Sequence, residues 1–523
     1  MSGDPVIRRV GSRALLVDLP DLPTVMAWHA ALVADPVDGQ IDVIAAARTV
    51  LVSTDSPRSA ARAAAHLRTF TPPRVEHSAS REITIDVCYD GADLPEAADL
   101  IGMSPAALID WHTSQTWKGA FGGFAPGFTY CVPADPADAL DMPRRSSPRT
   151  EVPAGAVGLA GDFSAVYPRP SPGGWQLIGT TATPMWDSTS QPPALIAPGD
   201  SVRYRAVREL VAVTVRSQGD VDKHDTPSRP VLRMEDPGLL TLIQDLGRPG
   251  HGNLGVTESG AADQAAARAA NAAVGNASTC AVLENIGGLD VRALVDTVVA
   301  VTGAASEVTV RGRALELGTP ALLGAGDHLR IAPPTLGLRS YLAVRGGVVA
   351  SEVLGSRATD MLSGLGPQAV TGGDIAAGIS PHTSSDHQVG NPLRVTEREG
   401  KTHAELRCIP GPRDDWFRAG IATLTSQMWQ VSGQSNRVGL RLEGHPLERS
   451  RSGELASEGI VAGSIQIPAN GLPVVFLRDH AVTGGYPVVA TVVAEDLDIA
   501  GQLPPGGTVS FVPVDPDTLE PES

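Results

Sequence analysis

The sequence predicts a mainly β protein: a small α+β unit followed by two related units of β-barrel type. Three observations carry this reading. The 523 residues include 56 glycines and 43 prolines set between short Val/Ile/Leu/Thr runs, the texture of many short strands joined by sharp turns. The opening stretch, residues 1–75, has a different, partly Ala-rich character. Finally, three phrases occur in the same order in each half of the chain.

Within residues 1–75, ALLVDL (14–19) is strand-like, Leu22 to Val33 is an Ala/Leu/Trp stretch with the look of a helix, and TVLVST is a strand. A second helix is expected over Pro57–Leu67, with Ser56 as N-cap and proline in its first turn. Residues 76–216 then turn β-rich. The polar, Gly/Pro/Asp-containing segment 217–230 reads as an inter-domain linker, 231–514 as the second unit, and DPDTLEPES (515–523) as an acidic frayed tail.

In the first half the phrases are VPAGAVGLAG (152–161), SPGGWQLIGTT (171–181) and APGDSVRY (197–204). In the second they are IVAGSIQIPA (460–469), VTGGYPVVATV (482–492) and PPGGTVSF (504–511). Ordered recurrence of this kind implies two related barrel-type domains, each ending in these strands.

Composition narrows the function classes. A formal net charge of −17 repels phosphate backbones, so no nucleic-acid partner is expected. No apolar run approaches the ~18 residues of a membrane span and no apolar segment follows the charged start, so a cytoplasmic protein without membrane contact is expected. Four cysteines lie far apart without zinc-type spacing, which predicts reduced thiols and no metal site.

Several residues are candidates for chemistry. The Gly-Gly-aromatic corners, Gly173-Gly174-Trp175 and Gly484-Gly485-Tyr486, let backbone pass close to a ligand, or else are barrel corners packed by their aromatic residue. GGFAPGFTY (122–130), with Phe124, Pro126 and Gly127, suits a rigid loop whose amides hold a carbonyl oxygen or an anion, or is a plain turn. His112, at the end of a helix begun by Ser104-Pro105, is either a general base or a structural histidine. Gln244, Asp245 and Arg248 form a polar knot among glycines, open to reading as an architectural ion pair or a ligand site. Asp263 and Asn271 lie eight apart on an Ala-rich helix and share a face, while Arg437 and Arg441 fit a strand on which both point the same way. Gly400-Lys401-Thr402 lacks the first glycine of a Walker A loop, since Val395 stands there, and none of Lys118, Lys223 and Lys401 has a methionine neighbour, so no biotin is expected on this chain.

At GFAPGFTY, RRSSPRTEVPAGAVGLAG and SPGGWQLIG, the first 215 residues resemble the family of allophanate-hydrolase subunit 1, also called the 5-oxoprolinase B subunit or Kip inhibitor. At LLTLIQDLGRPGHGNLGV, ANAAVGN, LAVRGGV, GSRATD, SNRVGLRL, SEGIVAGSIQIPANGLP and VTGGYPVVATV, the rest resembles the 5-oxoprolinase C subunit, the Kip antagonist or allophanate-hydrolase subunit 2. The chain thus looks like a fusion of the two. The resemblance implies a cyclophilin-like β-barrel in each part and, with a separate 5-oxoprolinase A subunit, ATP-dependent opening of the 5-oxoproline lactam to glutamate. It also implies two alternatives: the carboxyltransferase component of a biotin-dependent urea or amide carboxylase, and a regulatory protein acting on a histidine kinase. A small amide or lactam is the implied substrate, and a homo-oligomer is left open.

Carried over by motif, the implied catalytic residues are His112, Arg149, Gln244, Asp245, Arg248, Arg437 and Arg441. The implied substrate-binding residues are Phe124, Pro126, Gly127, Gly155, Gly173, Gly174 and Trp175 in the first unit, and Asp263, Asn271, Gln466, Gly484, Gly485 and Tyr486 in the second. Two stretches depart from the family pattern: RDHAVTGGYP, where His480, Ala481 and Val482 replace a polar run, and MLSGLGPQAV, which lacks a Gly-Arg pair.

Overall fold

A computed structural model of the chain describes residues 5–72, 81–210, 227–379, 387–453 and 455–521. Its first unit is a four-stranded antiparallel sheet in the order Val6–Val10, Ala14–Asp18, Thr49–Thr54, Gln40–Ala45, with helices at Leu22–Ala34 and Pro57–Leu67. Each helix starts on a side-chain cap: Asp21 accepts from Thr24 N at 2.9 Å, and Ser56 Oγ from Ser59 N at 3.2 Å. Both faces of the sheet are covered, which is why ALLVD is apolar at consecutive positions. Leu15, Val17 and Val52 pack with Trp28 into a core shared with Phe128, Tyr130 and Trp175 of the next unit, whereas Val10, Ala14, Leu16, Ile44 and Leu51 pack on Val482 of the second half.

The two barrels are built alike. The first takes its strands from Glu82–Val87, Trp117–Gly122, Thr129–Pro133, Ala156–Ala160, Phe163–Val166, Gln176–Thr180 and Ser201–Ala206. The second takes them from Lys401–Pro410, Trp429–Val431, Gly439–Glu443, Ser464–Gln466, Val474–Phe476, Val488–Val492 and Thr508–Pro513. Numbered one to seven along the chain, the strands of both barrels run round the ring in the order 1-7-2-3-5-4-6. In each, strand one pairs in parallel with strand seven. Each ring closes between strands six and one, through Cys88 and Thr180, which exchange backbone bonds of 2.9 and 2.8 Å, and through Cys408 opposite Val492.

The equivalence reaches single bonds. Gly155 (φ 79°) and Gly463 (φ 89°) each donate to the carbonyl at the end of strand five, Tyr167 and Phe476, at 2.8 Å. Gly199 and Gly506 each donate to strand two, to Gly119 and Val431, also at 2.8 Å. The indoles of Trp117 and Trp429, which open strand two, donate back to His112 and Leu424 carbonyls at 3.0 and 2.9 Å. TSQTW and TSQMW are thus a fourth shared phrase, and His112 is the counterpart of Leu424.

Between the barrels lie a seven-stranded and a five-stranded sheet and the helix Gln264–Ala273. The first strand of this part is Ser228–Asp236, so the end of the expected linker is strand; the rest of that linker, 217–226, and 211–216 before it lie outside the described residues. The tail is not frayed through Pro521: Asp515 accepts from Asp517 N and Thr518 N at 2.9 Å, Val514 bridges to Pro521, and Asp517 pairs with Arg9 at 2.7 Å. Among the described residues no helix is long and apolar enough to cross a membrane.

Candidate functional site

Because the barrels share one topology, the same two connections in each, from strand two to three and from strand five to six, are free to reach the other half. In the first barrel these are the 123–128 loop and the segment carrying Arg169; in the second they carry Arg437 and Asp479–Gly484. Phe124 adopts φ 57° and donates its N–H to Thr483 Oγ1 at 3.2 Å, and Gly127 N donates to Leu254 O at 3.2 Å. Gly255 (φ 76°) lies so close that a Cβ there would stand 2.3 Å from Ala125 O. Between the two sets of loops sits the segment 353–366 of the middle part, whose Met361 N donates to Asp479 at 3.0 Å.

The interior of this junction is densely charged. Arg437 is buried and bonds Asp479, Glu284 and the Gly260 carbonyl, the Asp479 contact being 2.9 Å. Glu284 also accepts from Tyr341 at 2.9 Å and from Ala262 N at 2.8 Å. Arg437 is therefore an architectural clamp between the second barrel and the middle part. Asp245 accepts from Gly247 N, Ser356 Oγ and Arg357 N at 2.8, 2.6 and 2.7 Å, so it pins the 353–366 segment and forms no ion pair with Arg248. Asp360 turns its oxygens into its own loop, accepting from Leu362 N at 2.9 Å and from Ser363. Burial and the neighbouring Asp479 charge raise its pKa.

Arg248 is the exception among these charges. Only 1% exposed, it donates Nε to Val353 O at 3.2 Å and Nη2 to Ala358 O, both neutral acceptors, and its Nη1 is buried with no hydrogen-bond partner. Burial lowers its pKa, opposed by the charges of Asp360, Asp245 and Asp479. Gln244 donates to Thr359 O at 2.8 Å, and its Oε1 is likewise buried without a partner. Phe124, Pro126 and Gly127 belong to this junction by their loop, Gly484 follows the Thr483 that this loop bonds, and a Cβ at Gly484 would stand 2.7 Å from Gln466 Nε2.

Other expected site residues lie elsewhere. His112 is fully buried inside the first barrel, Nδ1 2.7 Å from Tyr89 OH and Nε2 2.9 Å from Ser164 Oγ, stacked on Tyr204, with its pKa pushed down to about 3 by burial. Catalytic proton transfer is thereby replaced by a structural role. Arg149 and Arg145 both pair with buried Asp93, each at 2.7 Å. Gly155 is a barrel corner, Gly173 gives room to the Tyr167 hydroxyl, Gly174 accepts from Arg145 N at 2.9 Å, and Trp175 is core. Asp263 caps the helix Gln264–Ala273 and holds Gln502 at 2.9 Å, with its pKa raised to about 6 by burial, while Asn271 holds the Cys280 carbonyl at 2.7 Å. Both are structural. Arg441 is exposed on strand three of the second barrel while Arg437 is buried before that strand begins, so the two do not point the same way. Tyr486 is half exposed, and Gly485 faces the Leu455 carbonyl.

Two surface depressions, of about 530 and 270 Å³, are lined by none of the expected site residues. Beside the second, Glu399 and Gly400 are the two-residue turn of a hairpin between Arg398 and Lys401, so Gly400-Lys401-Thr402 does not form a phosphate-binding loop.

Arg169, Asp360, Asp479 and Glu284 join the junction without having stood out in the sequence. Arg169 lies among prolines with no periodic neighbour to mark it, whereas Asp360 closes the GSRATD phrase, which was the one signal able to find it.

Comparison with known proteins covers nearly the whole chain. Residues 5–196 match a family model described as carboxyltransferase domain, subdomain C and D, and residues 254–513 match one described as carboxyltransferase domain, subdomain A and B. The second half is 36% identical over 288 residues to the C subunit of 5-oxoprolinase from Escherichia coli (strain K12), which is 54% of this chain and 91% of that protein. The first half is 41% identical over 132 residues to the B subunit of 5-oxoprolinase from Bacillus subtilis (strain 168), 25% of this chain and 54% of that protein. Urea amidolyase of Lachancea kluyveri is 29% identical over 308 residues, only 17% of its own length. The crystal structure of TTHA0988 superimposes with a TM-score of 0.84 at 31% identity, covering 97% of this chain and 100% of that one.

Proposed function

The chain belongs to the carboxyltransferase-domain family, as one polypeptide uniting counterparts of the B and C subunits of 5-oxoprolinase, and we propose that it supplies both components to an ATP-dependent opening of 5-oxoproline to glutamate performed with a separate A subunit. The observation that carries this reading is the likeness to the C subunit over 91% of that protein, preceded on the same chain by a half that resembles the B subunit.

Opening a lactam requires the charge that grows on the amide oxygen to be stabilised, and fixed donors in a dry site do this best. Among the groups of the junction, Arg248 is one with a donor to offer a substrate, since its Nη1 has no acceptor, whereas the amides of the 123–128 loop are already bonded. One removed donor of this kind costs about 3 kcal/mol of barrier in other enzymes. The Gly-Lys-Thr run is a hairpin turn and not a phosphate-binding loop. We place ATP on the A subunit, which activates the amide for attack by water, while this chain binds and orients the lactam.

The test is glutamate release from 5-oxoproline and ATP, measured chromatographically with this chain only, with the A subunit only, and with the two together. Glutamate formed only by the pair supports the reading; none from the pair contradicts it. The descriptions of the family models and the urea amidolyase likeness favour a second reading, a carboxyltransferase acting on urea or another amide with biotin carried by another protein. Urea-dependent transfer from free carboxybiotin would identify it.

A further inference from the structure

We infer that Arg169 and Arg248 together form a carboxylate-binding site on the 358–366 loop, and that the substrate is an amide bearing its own carboxylate. The inference rests on the 5-oxoprolinase reading and narrows it, since 5-oxoproline carries such a group and urea does not.

Arg248 is buried, makes no ion pair among the described residues, and leaves Nη1 without an acceptor. Buried arginines are ordinarily paired, because an isolated buried charge is costly. Arg169 reaches the same loop from the other barrel. It is half-buried, its Nη1 is also buried without a partner, and a Cβ at Gly364 would stand 3.2 Å from that atom. A Cβ at Gly366, two residues on, would stand 3.3 Å from Arg248 Nη2. The loop between them is tight, Gly364 N donating to Asp360 O at 2.9 Å and Asp360 N to Leu365 O at 2.9 Å.

The charge of Asp360 acts on both guanidiniums, yet its hydrogen bonds go to Leu362 and Ser363. Asp479 is taken by Arg437, Ser259 and Met361 N. Two guanidiniums thus border one loop, each with an Nη1 that lacks an acceptor, and a small planar anion is the ligand such forks take. Topology explains the arrangement, for Arg169 and Asp479 sit in the same connection of their respective barrels.

The probes are 5-oxoproline, 2-pyrrolidinone, which is the same lactam without the carboxylate, and urea, each titrated calorimetrically into the full chain and into R169A and R169K. Wild type should bind 5-oxoproline at least about tenfold more tightly than 2-pyrrolidinone, and R169A should lose that preference, the scale of one charge-assisted hydrogen bond. R169K should recover part of it, at an unchanged melting temperature. Equal affinity for the two lactams, no binding of 5-oxoproline, or an R169A protein that keeps the preference overturns the inference. In the presence of ATP and the A subunit, R169A should raise KM for 5-oxoproline and leave kcat largely intact. An unaltered KM in an active complex sinks the carboxylate site alone. A wild-type chain that shows the Arg169-dependent preference yet forms no glutamate in that complex sinks the 5-oxoprolinase reading and leaves the site standing.

Discussion

In the first barrel His112 bridges the Tyr89 hydroxyl and Ser164, where the second barrel has Leu424. Burial depresses its pKa from 6.5 to about 3. The folded state therefore holds it neutral while the unfolded chain takes up a proton below 6.5, so this contribution to stability is complete above 6.5 and drains away as the pH falls towards 3. His112→Leu should lower stability by about 1–3 kcal/mol at neutral pH, because two buried hydroxyls lose a partner. It should also flatten the acid limb of a melting-temperature profile and leave turnover of the surviving protein unchanged. Loss of turnover at an unchanged melting temperature would return His112 to the chemistry. Arg441, exposed on its strand, is the opposite case: Arg441→Ala should alter stability by less than about 0.5 kcal/mol in denaturant titration and leave turnover intact.

Loops and the struts between them decide whether the halves meet correctly. Gly255 needs its left-handed φ, and a Cβ there would strike the Ala125 carbonyl. Gly255→Ala should therefore cost more than about 1–2 kcal/mol from backbone strain alone, read as a lower denaturation midpoint, with glutamate formation lost along with it. A second strut joins three elements: Arg413 pairs with Glu458 of the second half and, at 2.5 Å, with Asp18 of the first sheet. Removing the guanidinium leaves a mostly buried Glu458 unpaired, so Arg413→Ala should destabilise by about 3–5 kcal/mol, whereas Arg413→Lys should recover part of that loss. These loops were only partly legible. GGFAPGFTY announced a loop whose amides would hold a carbonyl oxygen or an anion, but those amides bond within the loop and to Leu254 and Thr483, and nothing in its composition tells that Phe124 will donate to a threonine 359 residues away.

For the whole molecule, the repeat of glycine phrases revealed two like barrels because Gly155 and Gly199, and their counterparts Gly463 and Gly506, occupy positive-φ corners that both rings need. One pairing of each ring was hidden, the parallel one between the first and last barrel strands, which lie far apart in sequence and without a turn signal. The same is true of the site. Phrases mark the barrels' own corners, such as Gly155 and Trp175, while the charged junction is assembled from residues of six separate segments, and only their meeting in space sets Arg248 apart from Arg437.

The most direct measurement is a structure of the full chain bound to 5-oxoproline. The ligand is expected at the 358–366 loop, its carboxylate between Arg169 and Arg248 and its ring towards the 123–128 loop. A ligand found instead in the depression beside Lys401, or in the one lined by Glu316 and Asn391, would contradict the assignment of the inter-barrel junction as the site.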